Sequence, residues 1–297
     1  MNALVSVVIP SYGGGDFLKR SVDSVLKQTY KNIEVIVVDD NGVGTENQLK
    51  TAKVMEAFSE CDNVKYICHE VNKNGSAARN TGVKNSGGEY IALLDDDDIY
   101  YPEKIEKQVE AISKLPEEYG MVYCGISVFR NGKKIRDKFA SQSESWLYDL
   151  LIHRIAIGSS TLLVRRSVWE ALNGFDESFR RHQDYEFTAR VAANYKIMPV
   201  DYIGSQYNLE FRNSPKSAEI AKQYREHYLE KMMPYIETLP KKKQREVLVR
   251  NRVDVSLMFL KERRFGAFIK DYFSCKPGLI GFKMLVRRVF RFVFTKK

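Results

Sequence analysis

At 297 residues, 44% hydrophobic and 29% charged, the chain is long enough for one large folded domain and an appendage. Cys61, Cys68, Cys124 and Cys275 form no CxxC pair and no cluster with histidines, and no leader or roughly 18-residue apolar run is present; this argues against zinc sites, disulfides, export and membrane spanning, and for reduced thiols in the cytoplasm. The net charge of +9 is uneven: residues 241–297 carry 17 Lys or Arg against 4 acidic residues, a net +13 that leaves −4 for residues 1–240, which argues against nucleic acid wrapping the molecule and for an anionic surface touching the C-terminal segment.

Four short apolar runs, Val5–Ile9, Ile33–Val38, Val64–Ile67 and Tyr90–Leu94, read as strands buried on both faces. Between them Phe17 to Lys27, Leu49 to Phe58 and Ala77 to Asn85 read as helices, and the alternation predicts a parallel α/β sheet with right-handed crossovers. A helix from Pro102 to about Leu115 follows, then a strand from Met121 to Phe129 that turns at Asn131-Gly132. A mixed region continues to about Ser214, where the first domain (1–214) is expected to end. From Ala218 onward (215–297) the pattern is helical, with breaks expected at Pro234 and Pro240.

Sheets of this kind place ligands at the carboxyl ends of their strands, and the unusual residues gather there: Pro10-Ser11-Tyr12 with Gly13–Gly15, Asp39-Asp40, and Asp95 to Asp98. Four adjacent carboxylates repel one another and call for a positive partner; a hard divalent cation on a ligand's phosphates supplies one while taking only one or two protein oxygens. On an extended segment Asp95 and Asp97 would point the same way. A solvated acidic turn with Asp98 capping the next helix is the alternative for this motif alone.

A carboxylate of Asp39-Asp40 can accept from a base or ribose, or the pair can belong to a turn before Asn41-Gly42. Tyr12 can stack on a base or cover the sheet edge. The glycine run matches neither the dinucleotide nor the phosphate-loop pattern, which counts against dehydrogenases and ATPases. Arg79 with Asn80 can contact phosphate. Asp184, in the crowded run Arg180–Glu186 before the predicted helix Phe187–Ala193, is a candidate base, with a helix-capping cluster as the alternative.

The segments SVVIPSY, SVDSVLKQTYKNIEVIVVDD, NKNGSAARNTG, GGEYIALLDDDDIYYP and SSTLLVRRSVWEALNGFDE before HQDYEF, taken in order, resemble the inverting family 2 glycosyltransferases of GT-A fold over residues 4–190. The resemblance implies an α/β, Rossmann-like mixed sheet and transfer of a sugar from a nucleotide diphosphate sugar, a UDP-sugar in the first instance. Pro10, Tyr12 and Asp40 would line the nucleotide pocket, with Arg79, Asp95 and Asp96 also touching the donor. Asp95 and Asp97 would form a DxD site for Mn2+ or Mg2+, with Asp97 the surer ligand, and Asp184 would be the general base. The family often has Glu-Asp where this chain has Gln183-Asp184, which leaves the role of the base's neighbour open. The QxxRW motif of processive relatives is missing, since Gln206 is followed by Tyr207-Asn208-Leu209-Glu210, so transfer of single sugars is expected.

Residues 278–297 alternate large apolar side chains with Lys283, Arg287, Arg288 and Arg291, a composition suited to a helix lying on an anionic membrane, on the inner face of which a lipid-linked glycan acceptor would be met. A terminal helix packed on the protein is the alternative. A strand-end aspartate pair also suits a phosphatase or phosphotransferase, but Ile99 stands where such enzymes carry Thr or Val and the SVVIPSY block is left unexplained. A non-catalytic sugar-nucleotide or glycan-binding protein is the remaining alternative.

Overall fold

Successive Val and Ile residues suit a sheet covered on both faces, and the first apolar runs form four parallel strands: β1 (Val5–Ser11), β2 (Ile33–Asp39), β3 (Val64–Cys68) and β4 (Tyr90–Leu93). The computed structural model describes residues 3–13, 15, 17–209 and 215–294, with the backbone alone for 288–294. The strands pair in the order β3–β2–β1–β4, with Val5 opposite both Ile33 and Tyr90, so the carboxyl ends of β1, β2 and β4 lie side by side. Helices α1 (Leu18–Leu26), α2 (Glu46–Met55) and α3 (Gly75–Lys84) make the crossovers. Helix α3 lies very close to β1: a Cβ on Gly82 would fall 2.2 Å from Val8 Cγ1.

Beyond β4 come β5 (Ile99–Tyr100), α4 (Lys104–Ser113), β6 (Tyr119–Arg130) and β7 (Lys133–Lys138). Asn131 and Gly132 both take positive φ, as a tight hairpin turn requires. After α5 (Trp146–Leu151), strand β8 (Leu162–Arg165) enters antiparallel between β4 and β6 and is followed by α6 (Arg166–Ala171). Helix α7 (Gln183–Asn194) then leads into β9 (Lys196–Asn208), which pairs parallel to β6 and antiparallel to β5. The sheet is therefore mixed, in the order β3-β2-β1-β4-β8-β6-β9-β5 with β7 on β6, and helices flank it.

Two local expectations give way. Residues Asp95–Asp98 are a turn and not an extended segment, closed by the Asp98 amide donating to Asp95 O at 3.0 Å, so alternation does not set their directions. Asp98 does not cap α4 either; it is buried, and the N-cap position belongs to Glu103.

The chain divides into two compact units, Met1–Glu144 with Ala156–Arg212 and Ser145–Ile155 with Asn213–Lys297. The second unit contains α5, α8 (Ala218–Glu237), α9 (Lys241–Lys261), α10 (Phe265–Ser274) and α11 (Gly278–Phe294). Val249, Val253, Leu257 and Tyr272 form one of its cores. Buried Asn251 ties α5 to α9, donating to Leu151 O at 2.8 Å and accepting from Arg225 Nη1 at 2.6 Å. Pro234 does not break the chain: α8 runs through it, because a proline so near the end removes one backbone hydrogen bond while Met232 and Ile236 stay buried and hold the last turn.

Candidate active site at the strand ends

The acidic turn after β4 is fixed by side chains from three other places in the first unit. Ser21 Oγ of α1 lies 2.7 Å from Asp98 O and 2.9 Å from Asp96 O. Ser160 Oγ accepts from the Asp95 amide at 3.2 Å and donates to Asp98 Oδ2 at 2.6 Å. Asn208 at the end of β9 donates to Asp97 O at 2.7 Å. Burial, reinforced by Asp95 and Asp97, pushes the Asp98 carboxyl well above the usual range, so Asp98 is a structural member of the turn. Asp95, Asp96 and Asp97 are only half-buried.

Arg79, buried on α3, joins the acidic turn to the start of α7. Its Nη2 donates to Asp95 Oδ1 at 2.5 Å, and its Nη1 donates to Gln183 Oε1 at 2.8 Å and to Gly75 O at 3.1 Å. Gln183 Nε2 in turn donates to Phe179 O at 2.9 Å, so the residue whose role the sequence leaves open is a shared partner of Arg79. The next residue is Asp184. Burial pushes its carboxyl up to about 6; the nearby Asp95 adds to the rise, while the Tyr185 amide, donating at 2.9 Å, and Arg79 oppose it. A carboxylate with a raised pKa is a stronger base.

The approach to α7 is built by the NGFDE segment. Gly174 has φ +62°, and a Cβ there would fall 2.5 Å from Asn80 Oδ1. Asn80 accepts from the Phe175 amide at 2.9 Å and donates to Phe175 O at 2.9 Å and Glu177 Oε1 at 3.0 Å. Asn80 thus supports the loop that positions α7.

The end of β1 reaches the same place. The Tyr12 amide donates to Asp96 Oδ2 at 3.2 Å, and burial pushes the Asp96 carboxyl up to about 6 against that pull. The Tyr12 side chain is 66% exposed, free to lie on a planar ligand. Pro10 is half-buried in β1, opposite Val38.

Asp40 stands apart. It is buried, and its carboxylate is surrounded by His69 Nδ1 at 2.7 Å, Asn72 Nδ2 at 2.8 Å and the amides of Lys73 and Asn74, both at 2.8 Å. The other ring nitrogen of His69, Nε2, lies 2.9 Å from the Thr81 hydroxyl, so the imidazole links Asp40 to α3. Four protein donors fill the lone pairs expected to receive a base or ribose. In this arrangement Asp40 anchors the turn 69–74 that leads into α3.

Two hard carboxylates at an open strand end, with Asp95 36% exposed, fit a divalent cation that draws its remaining oxygens from phosphates. Among the described residues no group of three or more His, Cys, Asp or Glu is arranged to hold a metal by itself.

Residues 6–172 match the model for glycosyl transferase family 2. The chain belongs to that family. An uncharacterized glycosyltransferase of Rickettsia prowazekii is 35% identical over 189 residues, 62% of this chain and 57% of the relative, so this chain spans little more than half the length of that protein. The UDP-Glc:alpha-D-GlcNAc-diphosphoundecaprenol beta-1,3-glucosyltransferase WfgD of Escherichia coli is 31% identical over 225 residues, 74% of this chain and 84% of the relative. Among solved structures, TarS of S. aureus in complex with UDP aligns with TM-score 0.56 at 17% identity, covering 92% of this chain and 90% of that one. The mannosyltransferase PcManGT of Pyrobaculum calidifontis in complex with GDP-Man and Mn2+ aligns with TM-score 0.58 at 14% identity, covering 100% and 89%. These likenesses show the GT-A fold. The family 2 match takes in the strand ends of β1, β2 and β4 and stops before Asp184.

Several supports escape sequence reasoning. His69 occupies the end of β3 as Asp40 occupies the end of β2, and reading every parallel strand end would have found it. Ser21, Ser160 and Asn208 carry no local signal, because their partners lie 62 to 111 residues away.

Proposed function

We propose that this family 2 chain is an inverting, non-processive glycosyltransferase that moves one sugar from a UDP-sugar to a hydroxyl of a glycan or lipid-linked glycan, in the assembly of a cell-surface polysaccharide or glycoconjugate. The observation that carries this reading is the Arg79 bridge, which brings Asp95 at the end of β4 together with the first turn of α7, where Asp184 stands with its carboxyl raised to about 6.

Tyr12 provides a flat exposed surface for the nucleotide base, and the turn anchored by Asp40 shapes the neighbouring wall. Asp97, with Asp95, would hold Mn2+ or Mg2+, which supplies positive charge where the departing diphosphate develops negative charge. Asp184 accepts the acceptor's proton as the acceptor oxygen bonds to the anomeric carbon. The bond from that carbon to the UDP oxygen breaks on the opposite face, its electron pair leaves with UDP, and the configuration inverts. Arg79 keeps Asp95 and the start of α7 in register while this happens. A UDP-sugar and a lipid-linked acceptor are favoured by the activity for which the E. coli relative is named, and Mn2+ by the ion that accompanies GDP-Man in the Pyrobaculum structure. Transfer of one sugar at a time is favoured by Tyr207-Asn208-Leu209-Glu210 following Gln206 in place of QxxRW.

The test is a thermal-shift series with UDP, GDP, CDP and dTDP, with and without Mn2+, on the wild type and on Asp97→Ala. Stabilisation by UDP that requires Mn2+ and disappears in the variant is the expected outcome. A wild type that responds to none of the nucleotides would overturn the transferase reading.

A further inference from the structure

The last two helices each divide their apolar side chains between two sides. In α11, Ile280, Met284 and Leu285 pack on the core of Val249, Val253, Leu257 and Tyr272. Leu279, Phe282 and Val286, at i, i+3 and i+7, stand 49–67% exposed. In α10, Tyr272 is buried while Phe265, Ile269 and Phe273, at i, i+4 and i+8, stand 54–66% exposed. Half of the large hydrophobics that are exposed among the described residues lie on these two helices, which scattered surface residues do not explain.

The exposed charge carried by these two helices has one sign. From Arg263 to Lys297 the sequence holds ten Lys or Arg and one acidic residue, Asp271. Asp271 is buried and bonded to Lys222 Nζ at 2.5 Å and Ser256 Oγ at 2.6 Å, so it adds nothing negative to the surface. Lys270, Lys276, Lys283 and Arg287 are exposed. The sequence-based expectation of a membrane helix concerned 278–297, of which the side chains beyond Arg287 lie outside the described residues.

We propose that the exposed faces of α10 and α11 together dock on an anionic lipid bilayer, lying in its interface. Among the described residues no helix is long and apolar enough to cross a membrane. Insertion of the six apolar side chains below the headgroups brings the flanking cations level with lipid phosphates, which is how amphipathic basic helices hold an interface. A second copy of the chain would set two positively charged faces against each other. Nucleic acid would satisfy the cations and leave Phe265, Phe273 and Phe282 in water.

The test is flotation of the full chain with phosphatidylcholine vesicles, with and without phosphatidylglycerol, at low and high salt. Binding that needs phosphatidylglycerol and weakens with salt is expected. Phe273→Glu on α10 and Phe282→Glu on α11 should each weaken it about tenfold or more, since each replaces an inserted ring with a charge repelled by the lipid. Both positions are exposed, so melting temperature should not change. Equal binding to both vesicle types, or none, would overturn the proposal. A loss confined to Phe282→Glu would remove α10 from the surface, and a dimer that Phe282→Glu dissociates, with no vesicle binding, would make the face a contact between copies.

Discussion

After β2, Asp40 meets four protein donors within 2.8 Å. After β4, Asp95 accepts from Arg79, Asp96 from the Tyr12 amide, and Asp184 on α7 from the Tyr185 amide. Both strand ends carry paired aspartates, yet Asp40 is buried among protein donors while Asp95, Asp96 and Asp97 are only half-buried. Burial makes Asp96 and Asp184 hold their protons more tightly.

The largest effect that sharpens this contrast is expected from Asp184→Asn. Loss of the base should lower turnover about 10²–10⁴-fold while UDP still shifts the melting temperature. Unchanged turnover in a nucleotide-transfer assay would reassign the base. In the wild type, turnover should rise with pH through about 6 as Asp184 loses its proton.

The same group ties activity to stability. Its folded pKa lies above the unfolded value, so the folded state binds the proton more tightly. The contribution to stability is present below about pH 4 and is lost as pH rises through about 6, for Asp184 and Asp96 alike. Asp184→Asn should therefore melt higher than the wild type at neutral pH, and the gap should close in acid.

Asp40→Asn tests the opposite end of the comparison. An amide nitrogen facing donors such as the Lys73 and Asn74 amides loses charge-assisted bonds, at a cost of about 1.5–3 kcal/mol in denaturant unfolding. A stable Asp40→Asn protein that has lost UDP binding would instead make Asp40 a direct ligand contact.

Tyr12→Ala should leave unfolding unchanged, because the ring is exposed, and weaken UDP by about 0.5–1.5 kcal/mol in calorimetry. The smallest effect belongs to Gln183→Glu. A second carboxylate on Arg79 should weaken that residue's hold on Asp95 and move the acid limb of the activity profile upward by less than about one pH unit. A downward shift would contradict the placement of Arg79 between the two acids.

Much of the candidate site is legible in the amino-acid sequence, for a local reason. Hydrophobic runs of period-two backbone make buried strands, helices between them force parallel pairing, and parallel pairing puts strand ends on one edge; Pro10, Tyr12, Asp39-Asp40 and Asp95–Asp98 are read from that rule alone. Neighbours in sequence also identify the crowding before α7. What the chain could not reveal by itself was which acid each donor would reach. Arg79 meets Asp95 across 16 residues and Gln183 across 104, and Asn208 meets Asp97 across 111. The same limit hid the turn at Asp95–Asp98, the passage of α8 through Pro234, and the grouping of Ser145–Ile155 with residues 213–297. Composition and spacing determine which groups stand at the sheet's edge, because pleat and helix period are local. Which donors reach each carboxylate there was decided only by the tertiary structure, because those donors are delivered from distant parts of the chain.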